Sequence, residues 1–91
     1  MANPITTTGT TTDPIETTHQ SGESIRDWVE RHDKLVGSST PSGDTLTTEW
    51  TSSSGKKRVV TTRLSGESDE EFTVRHVASY LEVMLEFLPV P

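Results

Sequence analysis

Leu46, Thr48 and Trp50 alternate with Thr47, Glu49 and Thr51, a period of two that predicts a strand buried on one side. A Ser/Gly turn at residues 52–55 follows. The β-branched run from Arg58 to Leu64 then predicts the returning strand of a hairpin, with either Val60, Thr62 and Leu64 or Val59 and Thr61 toward the core. Elsewhere the period lengthens. Ile25, Trp28, Val29, His32, Leu35 and Val36 fall on one face of a helix expected from Ile25 to Val36 and stopped by Gly37. A second helix is expected from Asp69 to Phe87, ended by Pro89. Its apolar band, running from Phe72 through Tyr80 and Met84 to Leu88, is wider than a surface helix needs.

A twelve-residue phrase occurs twice. Ser21-Gly22-Glu23-Ser24, then Trp28, then Arg31-His32 returns as Ser65-Gly66-Glu67-Ser68, Phe72 and Arg75-His76, every matched position displaced by 44 residues. One unbroken register implies two copies of a supersecondary unit. Much of the phrase is a turn and a helix start. Ser68 with Glu71 has capping-box spacing, Ser24 with Asp27 is a weaker relative, and the acids Asp69, Glu70 and Glu71 sit at the positive end of the helix dipole.

These elements imply an α+β fold: a small antiparallel sheet packed by two helices, made of two ββα-like units sharing one core. Residues 1–91 read as a single domain, with a first unit at 15–36, a linker at 37–44 and a second unit at 45–88. Residues 1–14 read as a threonine-rich stretch able to remain disordered, because Ile5 is almost the only side chain there with apolar bulk to bury. The expected core is Trp28, Val29, Leu35, Val36, Leu46, Trp50, Val60, Leu64, Phe72, Val77, Leu81 and Met84.

Composition narrows the function. Only 29% of residues are hydrophobic, so a chain of 91 residues has little apolar surface to set against about 1–2 kcal/mol of backbone entropy per residue, and self-association is one remedy. A net charge of -6 opposes general contact with nucleic acid or anionic membrane. With no cysteine there is no disulfide framework, no thiolate nucleophile and no cysteine zinc site. No apolar run approaches the roughly 20 residues of a membrane span, and the expected setting is the cytoplasm.

The Arg31-His32 and Arg75-His76 pairs are the residues most suggestive of chemistry. Around a pseudo-twofold axis His32 and His76 would approach one another, with Glu23, Glu67 or Glu30 as further ligands for zinc or nickel. Packing is the stronger reading, because a histidine beside an aromatic usually completes a core edge and no His-x-x-x-His spacing exists. No nucleophile elbow, phosphate loop or cofactor fingerprint is present, so neither enzymatic activity nor a cofactor is expected. The function expected is a non-enzymatic protein-interaction module, a homodimer, using Tyr80, Val83, Phe87 and Leu88 of the last helix as its interface. The alternative is a small nucleic-acid-binding regulator, with Lys56, Lys57 and Arg58 at the hairpin turn and Arg63 on the same hairpin as phosphate contacts.

Overall fold

The computed structural model describes residues 4–10, 12–41, 43–52 and 54–86. Its elements are β1 (Ile5–Gly9), β2 (Thr12–Thr17), α1 (Ile25–Ser39), β3 (Thr45–Ser52), β4 (Gly55–Thr62) and α2 (Asp69–Glu86). The strands form one antiparallel sheet in the order β2-β1-β3-β4. Both helices lie on one face of it, α1 against β2, and α2 against β3 and β4. The chain is α+β, and no helix among the described residues is long and apolar enough to cross a membrane.

Two glycines set up the helices. Gly22 and Gly66 have φ of 81° and 80°, which a Cβ would strain, and each turn delivers a serine to the following helix start. Ser24 Oγ accepts from the Asp27 N–H at 3.0 Å. Ser68 Oγ accepts from the Glu71 N–H at 3.1 Å, while the Glu71 carboxylate accepts from the Ser68 N–H at 3.3 Å, completing a reciprocal box. At its far end α1 runs past Gly37, against the expected stop. It closes at Thr40, whose backbone is left-handed (φ 45°) and whose N–H reaches the Val36 carbonyl. One glycine costs a helix only about 1 kcal/mol, whereas Pro41 bars the next residue from continuing it.

The core holds Ile5, Trp28, Val29, Trp50, Tyr80 and Met84 in one cluster, with Val36, Leu46 and Phe72 also buried. On β3 the buried set is Leu46, Thr48, Trp50 and Ser52, and on β4 the inward positions include Val59 and Thr61. Three expected core residues are exposed. Val60 points away from the helices and is 54% exposed, Leu64 lies beyond the end of β4 at 58%, and Leu35 stands on the outer side of α1 at 44%. In the threonine-rich N-terminus, where the sequence leaves disorder open, Ile5–Gly9 is an ordered strand. β1 is a central strand, paired with β2 on one side and with β3 on the other, and its Ile5 is fully buried.

Candidate functional site

The repeated histidines lie at the centre of the molecule, each fully buried. His32, from α1, bonds Thr17 Oγ1 through Nδ1 at 2.9 Å and Thr7 Oγ1 through Nε2 at 2.8 Å. His76, from α2, bonds Thr61 Oγ1 through Nδ1 at 2.7 Å and Thr48 Oγ1 through Nε2 at 2.8 Å. Thr7 and Thr48 face each other in the β1–β3 register, and their hydroxyls are 2.7 Å apart. The outcome is one continuous chain, Thr17–His32–Thr7–Thr48–His76–Thr61, crossing the sheet from edge strand to edge strand. Burial holds both imidazoles at a pKa of about 4, with the charge of the adjacent arginine adding to the effect, so both are neutral at pH 7.

Counting hydrogens orients this chain. With neutral rings, four hydroxyls and two imidazoles supply one hydrogen more than the bonds between them use, so one hydroxyl hydrogen is surplus. If the surplus belongs to Thr7 or Thr48, both rings carry their proton on Nε2 and the spare donor is stranded where exposure is 1% or 0%. If it belongs to Thr17 or Thr61, the rings are opposite tautomers and the spare donor sits on an edge strand at 4–5% exposure. The second arrangement costs less, because a dry unpaired donor is penalised by about 1–3 kcal/mol. Trp28 Nε1 donates to Thr17 Oγ1 at 3.1 Å, which polarises that hydroxyl toward donating onward to His32. The preferred state therefore has His32 protonated at Nε2, His76 at Nδ1 and the spare hydrogen on Thr61.

Around this chain the repeated glutamates and arginines form clamps. Arg31 bonds both oxygens of Glu23, at 2.9 Å each, and the Thr18 carbonyl at 2.6 Å. Arg75 bonds both oxygens of Glu67, at 2.8 Å each, and the Thr62 carbonyl at 2.7 Å. The facing guanidinium holds each glutamate at a pKa of about 2. Glu23 and Glu67 thus tie the turn before each helix to the end of the preceding strand and do not approach the histidines as ligands. Among the described residues no group of three or more His, Cys, Asp or Glu is placed to hold a metal ion. The spacing of Glu23 to Arg31, repeated at Glu67 to Arg75, was the sequence signal for these clamps.

One of the expected interface residues is not at the surface. Tyr80 is fully buried: its ring meets His76 edge-on at 5.4 Å and His32 at 6.3 Å, and its hydroxyl donates to the Asp33 carboxylate of α1. A side chain so placed cannot contribute to a surface contact. Val83 is half-buried against the core, and Phe87 and Leu88 lie outside the described residues.

The basic residues do not form one patch. Along β4 the strand period sends Lys56 and Arg58 to the uncovered face of the sheet and Lys57 to the side of Val59 and Thr61. Glu49, in register with Arg58, lies 3.2 Å from Lys56 and 3.7 Å from Arg58. Arg63 is committed internally, to Gly43 O at 2.8 Å, Glu67 O at 2.9 Å and Asp69 at 2.5 Å, with its guanidinium over the Phe72 ring.

A further surface feature among the described residues is the sheet face that neither helix covers. The registers place Glu16, Thr6, Glu49 and Arg58 in one row from β2 to β4. The row is acidic at the β2 edge and basic at the β4 edge, where Lys56 adds to Arg58. Exposed Val60 stands one row away, opposite Thr47. No protein-family model, no curated protein and no solved structure matches the chain.

Proposed function

We propose that this chain is a non-enzymatic protein-interaction module, built from two copies of one ββα unit, that forms a homodimer through the uncovered face of its sheet. The duplication reading is supported by the same bonds recurring 44 residues apart: Ser to first-turn N–H, Arg to Glu, Arg to Thr carbonyl and His Nδ1 to Thr. Those bonds commit the repeated residues to packing, which leaves the surface for function.

The observation that carries the dimer is the charge gradient across the uncovered face. A twofold axis lying between two such faces, parallel to the strands, sets β2 of one copy over β4 of the other. Glu16 then meets the partner copy's basic edge, at the usual sheet separation of about 10 Å, the outward threonines Thr6, Thr8 and Thr47 of the central strands become the centre, and Val60 of the edge strand β4 packs over the partner copy's β2. The same gradient argues against a phosphate backbone as partner, because Glu49 already faces both outward cations.

The test is solution mass by light scattering across a concentration series. The parent should be a dimer, and Val60→Asp should shift it toward monomer. Glu16→Arg and Arg58→Glu should each weaken the dimer, and the two together should restore it. A monomeric parent at every concentration, or a dimer indifferent to all of these changes, would overturn the proposal.

A further inference from the structure

A groove of about 340 Å³ runs between α1 and α2, on the side of the molecule opposite the uncovered sheet face. Ile25 and Val29 of α1 and Leu81 and Met84 of α2 give it an apolar lining. Ile25 and Leu81 are only partly covered by the core they pack against. Successive turns of α1 add charge along the groove, Arg26 first, then Glu30, then Asp33. Asp33 is half-buried. Its Oδ1 accepts from the Tyr80 hydroxyl, and among the described residues no ion pair reaches either Asp33 or Glu30. Burial raises the Asp33 pKa to about 6, and Glu30 pushes in the same direction, so this carboxylate is one that a nearby cation would relieve.

We propose that this groove binds a short basic amphipathic helix of a partner protein, whose aliphatic side chains enter between α1 and α2 while a lysine or arginine pairs with Asp33. Two observations select that occupant. The apolar lining matches the i, i+3, i+4 anchors of a helix laid in a groove. The acidic end, on a chain of net charge -6, matches a cation and disfavours an acidic segment. This surface is separate from the sheet face, so the groove can be occupied whether or not the chain dimerises.

The test uses two labelled helical peptides, one of leucine and lysine in amphipathic spacing and one with glutamate in place of every lysine. Binding is read by fluorescence anisotropy at physiological salt. The basic peptide should bind at least about tenfold more tightly than the acidic one, a difference of about 1.4 kcal/mol. Asp33→Asn keeps an acceptor for Tyr80 and removes the charge; it should weaken the basic peptide about fivefold or more, as should Leu81→Gln at the lining. Glu70→Gln, an equal change in net charge on the exposed first turn of α2, should leave binding unaltered. Absence of binding, or equal weakening by Asp33→Asn and Glu70→Gln, would reduce the groove to general attraction between opposite charges and overturn the proposal.

Discussion

The N-terminal half, β1 through α1, and the C-terminal half, β3 through α2, make the same polar bonds with different apolar partners. Both have the serine cap, the arginine clamp and the histidine bridging two threonines. Their apolar positions diverge. Trp28 stands where the second half has Phe72, and Val36 where it has Tyr80. The His19 ring lies tilted beside Trp28, centroids 5.4 Å apart, whereas the Arg63 guanidinium lies 4.6 Å over Phe72. The contrast has a physical source. A buried hydrogen bond needs a particular donor and acceptor in a particular direction, while an apolar contact needs only adequate volume and shape. Where the halves differ in polarity they also become dependent on each other: Tyr80 of α2 finds its acceptor on Asp33 of α1, a bond with no counterpart in the other direction.

The largest expected effect comes from breaking the shared centre. His32→Ala and His76→Ala each leave two threonine hydroxyls without a ring and a cavity beside Tyr80, and each should cost about 3–5 kcal/mol in denaturant unfolding. The two losses should agree within about 1 kcal/mol. A much smaller loss in one half would break the equivalence.

Acid should strain both halves together. Each ring titrates near 6.5 when unfolded and near 4 when folded, so between those values the unfolded chain binds more protons. Stability supplied by the neutral rings is present above pH 6.5 and is lost as pH falls toward 4, by about 3 kcal/mol per ring. Asp33 acts in the opposite sense: its folded pKa of about 6 exceeds the unfolded value of 3.8, so acid returns part of the loss over that interval. For these three groups the net expectation is a fall of about 3 kcal/mol between pH 7 and pH 4 in urea titrations, and the clamped carboxylates Glu23 and Glu67, held low by their arginines, add to the fall as pH drops through 4.5. Constant stability over that range would show that the rings are not buried neutral.

The smallest effect sharpens the comparison at the helix starts. Ser24→Ala and Ser68→Ala should each cost about 1 kcal/mol. The second should cost no more than the first, because Glu71 accepts from the Ser68 backbone N–H, a bond that alanine keeps. Thermal melts of the two variants side by side decide the order.

How much of this could be read from the chain follows the same division. The helices, their N-terminal caps and the buried face of β3 were legible, because capping residues have fixed spacings and Leu46, Thr48 and Trp50 alternate cleanly. β1 was not, since a threonine counts as polar until its hydroxyl is known to be paired, and Thr7 is buried through bonds to His32 and Thr48. His32 and His76 were legible as packing residues on aromatic-bearing faces, but their place on one continuous chain depends on a strand register that sequence spacing does not reveal. Lys56, Lys57 and Arg58 look like a patch in sequence, and the pleat divides them between two faces. Tyr80 looked available because an apolar band gives no sign that a carboxylate on the other helix will receive its hydroxyl.

The most direct measurement is nitrogen-15 NMR of the imidazole rings at pH 7, which reads charge and tautomer for each histidine separately. Two neutral rings should be found, His32 carrying its proton on Nε2 and His76 on Nδ1. A protonated ring, or the same tautomer in both, would contradict a single polarised chain joining the two halves through Thr7 and Thr48.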